Sequence, residues 1–365
     1  MTRAPLPAAP AWRQRVGRVL ELVFRVVLAL YLVNFVWNLG PVQVARAHLT
    51  GLPVYLRRTL PVFESVKVAA RSPDGLMVVG GGVRGDGESF TSRVILWDAR
   101  TMNRRWVTDR PRQEYRSVDA LVWSPNGRTV WTSDSEGRVE ALDATTGRVL
   151  REFGAGRSRP CVFAATPDRL LVTGWDAANE LTLRGWDDGR VRWRAPLPCR
   201  GGVSGSVNAA GTLLAYSPSH GEVALFDLRR RVPLPQRFNL PGESGPSALA
   251  LTPDGSRLAA GWREGTLITW STASGQEVWQ ARPHRGRVRA LAWNEAGTAL
   301  ASAATGGCGG WRRECVVVTH SGSVGPQSRV AWWRRFEPPE AVQWVSGERL
   351  LLTIGDGAFT VRAPR

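Results

Sequence analysis

The sequence predicts an all-β chain built from repeated small antiparallel sheets, and residues 120–150 show the pattern most clearly. Residues 120–123 and 129–132 are short apolar runs, joined by the turn Ser124-Pro125-Asn126-Gly127. Proline presets φ at such a turn, and glycine supplies the positive φ that closes it. Two further turns, at 133–137 and 143–147, define a third and a fourth strand. Because four strands cannot bury both faces alone, the pattern predicts neighbouring sheets of the same kind.

The same turn pattern returns along the chain at intervals of 42 to 52 residues. Its copies are Ser72-Pro73-Asp74-Gly75, Thr166-Pro167-Asp168-Arg169, Asn208-Ala209-Ala210-Gly211, Thr252-Pro253-Asp254-Gly255, Asn294-Glu295-Ala296-Gly297 and the shorter Ser346-Gly347. A second mark closes most third strands, and its copies are Trp97-Asp98, Leu142-Asp143, Trp186-Asp187, Phe226-Asp227 and Trp270-Ser271. Four strands per unit, a period of about 40–45 residues and a Trp-Asp mark are typical of WD40 blades. From about residue 53 to residue 365, the chain resembles this family.

The resemblance implies a seven-bladed β-propeller of four-stranded antiparallel blades, preceded by an N-terminal apolar helix. The last unit offers only three strands, at 341–345, 349–353 and 358–362. The isolated strand-like segment 54–58 would supply the fourth, which is the usual ring closure of this family. We therefore expect a propeller domain at 54–365.

Some blades also resemble the quinoprotein type of propeller. The segment from Ala141 to Gly147 looks like its blade motif, and Trp193 and Trp279 would be its docking tryptophans. The Asp-His-Ser/Thr-Trp network of WD40 blades is mostly missing. Its Gly-His dipeptide is represented only by Pro283-His284, and Asp134 is the candidate turn aspartate. Quinoprotein-type propellers include both dehydrogenases and non-catalytic scaffolds, so this second resemblance implies either.

The N-terminal region predicts a membrane anchor. We expect a disordered basic segment at 1–15, an apolar helix at 16–40 and a linker at 41–53. The basic residues precede the apolar segment, which would place the N-terminus in the cytoplasm and the propeller outside. The alternatives are a signal peptide cleaved near Ala45-Arg46-Ala47, and a helix that packs on the propeller or lies in the membrane interface. A cytoplasmic propeller is the corresponding alternative location.

The sequence gives little support for an enzyme, and we expect no catalytic residue, metal or cofactor. Its four histidines form no metal-binding pair, and no G-x-S-x-G motif is present. The pattern Gly80-x-Gly82-x-x-Gly85 precedes a strand, so it predicts a flexible hairpin loop at 80–92 and no dinucleotide site. Cys308, Cys315 and His320 match no common zinc spacing, which leaves a disulfide or free thiols. The alternative is a quinoprotein- or lactonase-like enzyme with a site in the central channel.

The chain is strongly basic, with a formal net charge of +17, and Lys67 is its only lysine. Twelve arginines lie in the loops between blades, against Asp109, Glu114, Glu243 and Glu337. Propeller geometry would bring these loops to one rim, together with Trp262-Arg263 and Trp311-Arg312-Arg313. The predicted interaction face comprises Arg110, Arg112, Arg116, Arg157, Arg159, Arg200, Arg237, Trp262, Arg263, Arg282, His284, Arg285, Arg287, Trp311, Arg312, Arg313, Arg334 and Arg335.

A basic face of this kind favours an anionic partner. We expect a membrane-tethered, non-enzymatic scaffold that binds one or more unidentified, acidic protein partners. Nucleic acid is disfavoured because the propeller is expected outside the cytoplasm, and no small-molecule substrate is evident. A solvated rim in a proteome that prefers arginine is the alternative explanation of the charge.

Overall fold

The computed structural model describes most of the chain from residue 63 onward. The described residues are 63–85, 90–99, 103–111, 117–135, 137–153, 160–166, 170–175, 180–186, 188–197, 205–218, 221–238, 245–305, 314–322, 325–334, 339–346, 349–354 and 357–362. The predicted segments 1–15, 16–40 and 41–53 and the predicted strand 54–58 lie outside them. Within these ranges we find no helix whose length and apolar character would let it cross a membrane.

The described residues form an all-β propeller of small antiparallel sheets, arranged in chain order. The first sheet contains β1 (Phe63–Arg71), β2 (Met77–Gly85), β3 (Phe90–Asp98) and β4 (Arg104–Pro111). The second sheet contains β5 (Val118–Trp123), β6 (Thr129–Asp134), β7 (Val139–Asp143) and β8 (Val149–Phe153). The third sheet contains β9 (Pro160–Thr166), β10 (Leu170–Trp175), β11 (Glu180–Gly185) and β12 (Val191–Pro196).

The later sheets repeat this order, with each strand hydrogen-bonded to the next along the chain. The fourth sheet contains β13 (Ser206–Val207), β14 (Leu213–Tyr216), β15 (Ala224–Asp227) and β16 (Val232–Pro233). The fifth sheet contains β17 (Ala248–Leu251), β18 (Arg257–Gly261), β19 (Leu267–Ser271) and β20 (Glu277–Ala281). The sixth sheet contains β21 (Val288–Trp293), β22 (Ala299–Ala304), β23 (Glu314–Gly322) and β24 (Gly325–Arg334). The seventh, of three described strands, contains β25 (Pro339–Ser346), β26 (Arg349–Ile354) and β27 (Gly357–Arg362).

The predicted turns have the hydrogen bonds that their residue types suggest. In the second sheet, Ser124 Oγ accepts from the backbone N–H of Thr129 at 2.9 Å, and Asn126 Oδ1 accepts from that of Arg128 at 3.0 Å. Gly127 has a φ of +68°, which closes the turn. In the fifth sheet, Thr252 Oγ1 accepts in the same way from the N–H of Arg257 at 3.0 Å. The repeat found in the sequence is therefore a repeat of turn chemistry.

Neighbouring sheets pack through apolar clusters, and a tryptophan repeatedly bridges their first strands. The Nε1–H of Trp123 donates to the Ala70 carbonyl of the first sheet at 3.1 Å. Trp293 donates in the same way to the Ala250 carbonyl at 3.2 Å. Trp344 continues the series on the carbonyl of Ala292 at 2.9 Å. Because each indole packs apolar surface against the next sheet and satisfies its polar atom, these bonds stabilise the contacts between neighbouring sheets.

The last described sheet lies against the first. Strand β1 contacts β25, β26 and β27. The backbone N–H of Arg71 donates to Gln343 Oε1 of the seventh sheet at 3.2 Å. The fifth sheet contacts the fourth in the same way, because the N–H of Leu251 donates to Ser206 Oγ at 3.0 Å. The junction between the two ends of the described chain thus resembles an internal junction.

One predicted loop is shorter than expected. Residues 80–85 belong to β2 and not to a flexible loop, since they pair with β1 and β3. A Cβ at Gly80 would lie 2.6 Å from the Trp97 ring, and one at Gly81 would lie 2.5 Å from Val118. The glycines allow large side chains to pack closely on the strand. The expectation of a loop at 80–92 was therefore wrong for residues 80–85, in β2, and for residues 90–92, in β3. Residues 86–89 lie outside the described residues.

Candidate interaction face

Four of the predicted arginines meet at the boundary between the fifth and sixth sheets. Two loops carry them: residues 262–266, between β18 and β19, and residues 282–287, between β20 and β21. We call these segments the arginine loops. They contain Arg263, Arg282, Arg285 and Arg287, all exposed. Antiparallel pairing in the fifth sheet places both loops at the same end of its strands.

Contacts between the arginine loops hold them together. Arg282 Nε donates to the Glu264 carbonyl at 3.1 Å. The backbone N–H of Val288, just after the second loop, donates to the Trp262 carbonyl at 3.0 Å. Gly265 has a φ of +87°, and a Cβ there would lie 2.2 Å from the His284 carbonyl oxygen. The two loops therefore form one continuous surface, and its closest approach requires glycine.

Two residues assigned to this face from sequence lie beneath it instead. Trp262 is 1% exposed, and its ring packs against Trp270 with 5.9 Å between ring centroids. His284 is also 1% exposed, and its Nε2 shares a hydrogen bond of 2.7 Å with Ser302 Oγ. The prediction of a surface ring beside a guanidinium at Trp262 is therefore wrong, because the indole fills the core between sheets. Both residues fix the loops on which the arginines lie.

His284 is held as a neutral imidazole. Burial lowers the pKa of His284 to about 4, because the charged form loses its solvation. Ser302 is itself fully buried and lies on β22 of the sixth sheet. The His284–Ser302 pair therefore connects the loop before the sixth sheet to β22, the second strand of that sheet.

The remaining predicted residues divide into three groups. Arg237 is exposed but lies away from the arginine loops. Its carbonyl oxygen is close to Gly275, 2.8 Å from where a Cβ would lie, and Gly275 is at the opposite end of β19 from these loops. Arg110 and Arg334 are described only by their backbone, near the ends of β4 and β24. The others lie outside the described residues, and they are Arg112, Arg116, Arg157, Arg159, Arg200, Trp311, Arg312, Arg313 and Arg335.

A second charged feature, not evident from the sequence, lies beside the central cavity. In four sheets, the pairing of the first strand with the second is interrupted at one residue of the first strand. These residues are Lys67, Asp119, Arg289 and Glu340. Lys67 Nζ lies 3.8 Å from Asp119 Oδ1, and Arg289 forms an ion pair with Glu340. Their charges alternate through the sixth, seventh, first and second sheets. These side chains neutralise one another in pairs.

The cavity itself has a volume of about 1070 Å³. Its lining comes from the first strands of five sheets, including Lys67, Ser206, Leu249, Arg289 and Glu340. Within the described residues, no group of three or more His, Cys, Asp or Glu could hold a metal ion. Cys315 and His320, considered together in the sequence, pair with Ala304 and Ala299 at opposite ends of β22.

The docking tryptophans also contact neighbouring sheets. Trp193 packs against Phe226 of the fourth sheet, and Trp279 against Trp293 of the sixth, with centroids 6.0 and 6.5 Å apart. Trp106 is a further one, missed in the sequence. Its Nε1–H donates to the Ala144 carbonyl at 2.9 Å. The signal that could have revealed it is its place on a fourth strand, as for Trp193 and Trp279.

Comparison with known proteins supports the propeller fold and the resemblance to quinoprotein-type blades. The family model of the outer membrane protein assembly factor BamB matches residues 135–307, from the second sheet into the sixth. The solved structure of U3-55K superposes with a TM-score of 0.66 at 11% identity, over 82% of this chain and 95% of that one. The second match shows the fold alone.

Two curated proteins are also similar. Telomerase protein component 1 of Mus musculus is 25% identical over 201 residues, and that of Rattus norvegicus is 27% identical over 202 residues. Each match covers 54% of this chain but 7% of the relative. The chain thus spans a small part of these relatives. The chain is thus a β-propeller protein whose blades resemble those of the WD40 and quinoprotein types.

Proposed function

We propose that the chain is a non-enzymatic protein-interaction scaffold that binds its partner through a basic loop face. The observation that carries this proposal is the meeting of Arg263, Arg282 and Arg285 on two loops fixed by buried residues. Arginine is enriched at interfaces because its planar guanidinium forms several charge-assisted hydrogen bonds. One similar protein, telomerase protein component 1, is named as a component of an assembly, and this name supports a role in binding other proteins.

We further propose a closed ring of seven blades, completed by the segment 54–58 on the seventh sheet. Three observations support closure: seven sheets follow one another in chain order, β1 contacts β25, and Arg71 is hydrogen-bonded to Gln343. The seventh sheet has three described strands, and β1 begins soon after residue 58. Removing residues 1–58 should therefore lower stability more than removing 1–50. Equal stability of the two truncated chains would contradict this closure.

The apolar segment 16–40 is the proposed membrane anchor, with the propeller outside the cytoplasm. Its support is the sequence: an apolar stretch preceded by arginines and followed by Gly40-Pro41. A topology reporter fused after Arg365 tests this arrangement. We expect a signal only from a reporter that is active outside the cytoplasm, and a cytoplasmic signal would contradict it.

The scaffold proposal is tested by quantitative co-purification with the full-length protein. Reversing two charges on the arginine loops, in Arg263→Glu with Arg285→Glu, should remove the partner. The control is Arg229→Glu with Arg230→Glu, which makes the same charge change on the exposed turn between β15 and β16. If no co-purifying protein distinguishes the two variants, the basic face is not the binding surface.

A second function is favoured by one observation, the central cavity of about 1070 Å³. Its size would admit a small molecule, as a quinoprotein- or lactonase-like enzyme requires. Analysis of the purified full-length protein for bound metal and quinone separates the two functions. A stoichiometric metal or quinone would favour the enzyme.

A further inference from the structure

The arginine loops bring four arginines together on two adjoining segments. Many arginines of the described sheets lie beside a carboxylate: Arg138 beside Glu152, Arg192 beside Asp188, and Arg194 beside Glu180. These pairs form even though Arg192 and Arg194 are more than half exposed. Other exposed arginines, such as Arg128, Arg148 and Arg229, have no carboxylate partner within the described residues, so the grouping of the arginines is what distinguishes the arginine loops.

Arg263 and Arg285 have no carboxylate partner among the residues that the structure describes. Four arginines stand against a single acid, Glu264, within the two loops. The Glu264 carbonyl accepts from Arg282 Nε. The guanidinium groups of Arg263 and Arg285 thus remain available to an external anion.

The backbone beneath these guanidinium groups is fixed before any ligand binds. His284 is anchored to Ser302, and the N–H of Thr305 donates to the Arg287 carbonyl at 2.9 Å. Gly265 packs directly on the His284 carbonyl. Because the loops are already ordered, a ligand loses less free energy in ordering its binding site.

We propose that the arginine loops bind a short acidic peptide segment of the partner, with its carboxylates paired to Arg263, Arg282 and Arg285. This inference rests on the scaffold function and names the chemistry of the partner. Arginine forks match carboxylates in bidentate geometry. A nucleic-acid backbone would instead require a longer basic track. Within the residues that the structure describes, the charged side chains beside the neighbouring cavity, Arg289 with Glu340 and Lys67 with Asp119, are already neutralised.

Fluorescence anisotropy with the full-length protein tests the proposal. The probe is a fluorescein-labelled ten-residue peptide of alternating Glu and Ser, compared with the same peptide carrying Gln for Glu, at an ionic strength of about 0.15 M. We expect the Glu peptide to bind at least about tenfold more tightly than the Gln peptide. The variant Arg263→Ala with Arg285→Ala should weaken binding by about tenfold or more, whereas Arg229→Ala with Arg230→Ala should change it less than about twofold.

Three results would overturn the inference. Equal weakening by the two double variants would show attraction to net charge and no defined site. The second is an oligonucleotide with the same number of charges that binds more tightly than the Glu peptide and loses affinity in the Arg263 and Arg285 variant. This result would assign the loops to nucleic acid. The third is a Glu peptide that does not bind, although a partner still co-purifies and is lost when Arg263 and Arg285 are changed. This result would contradict the acidic-peptide inference but not the scaffold function.

Discussion

The buried imidazole of His284 lies 2.7 Å from the hydroxyl of Ser302, with both side chains at most 1% exposed. This contact links the loop before the sixth sheet to the second strand of that sheet. It corresponds to the His–Ser/Thr part of the network expected in WD40 blades. The sequence has a Pro283-His284 dipeptide in place of Gly-His, yet the histidine takes the position that the resemblance implies.

The buried His284 predicts that acid destabilises the fold. Its folded-state pKa is about 4, below the ordinary value of 6.5, so the unfolded chain binds the proton first as the pH falls. The stabilisation is complete above pH 6.5 and is lost as the pH falls towards 4. We expect the free energy of unfolding to decrease by about 3 kcal/mol from this residue over that range. Urea unfolding at several pH values measures it.

Carboxylates also titrate in acid, so the His284→Gln variant is the control. The carboxylate contributions are common to both proteins, and the difference between their stability profiles isolates the histidine. A wild-type profile parallel to that of His284→Gln between pH 6.5 and 4 would show that His284 is not buried in the neutral form.

The contact between Trp106 and the turn at Gly147 predicts a steric limit between the first two sheets. Gly147 has a φ of +71°, and a Cβ there would lie 2.7 Å from the Trp106 ring. Gly147→Ala should therefore lower the free energy of unfolding by about 1–3 kcal/mol through strain and displacement of the indole. Chemical denaturation measures the loss.

Arg231 provides the matched comparison, because it occupies a similar turn with a φ of +65°. Its guanidinium lies 5.4 Å from the ring centroid of Trp193, the docking tryptophan of the third sheet. Arg231→Gly relieves backbone strain but removes this cation–π contact, so we expect a net change below about 1 kcal/mol. If Gly147→Ala and Arg231→Gly have equally small effects, the turns do not limit the packing of these tryptophans.

The hydroxyl at the start of the repeated turn predicts a third effect. Ser124 is 1% exposed and accepts from the Thr129 N–H, while its own hydroxyl contacts Asn126. Ser124→Ala should cost about 1–2 kcal/mol, because the partly buried N–H of Thr129 loses its partner. Ser124→Thr should be tolerated, since Thr252 has the same role in the fifth sheet. Loss of the same stability in both variants would show that side-chain shape matters more than the hydrogen bond.

The propeller could be predicted from sequence because its signal is local. Each turn uses side chains within five residues, as Ser124 does with Thr129, and this chemistry repeats visibly along the chain. The same locality explains an error, since the glycines at 80–82 suggested a flexible loop. Their actual role depends on Trp97 and Val118, which come from other strands.

The candidate site was only partly predictable, because burial depends on neighbouring sheets. Sequence placed Trp262 and Arg263 together on the surface, but Trp262 fills the core beside Trp270 and Arg263 stays exposed. The charge balance around the cavity was also hidden, since Lys67 meets Asp119 across two sheets. Long-range pairing of this kind leaves no periodic signal.

Binding of the Glu-containing peptide to Gly265→Ala tests the central claim most directly, because this variant keeps every arginine. A Cβ at residue 265 must displace the His284 backbone and separate the arginine loops. The control is Gly255→Ala, which also introduces a side chain at positive φ but at the opposite end of the fifth sheet. We predict that Gly265→Ala weakens binding by about tenfold while Gly255→Ala leaves it nearly unchanged, each protein being confirmed as folded by circular dichroism. Unaltered peptide affinity in Gly265→Ala would contradict the account, since charge alone, without the geometry of the two loops, would then explain the binding.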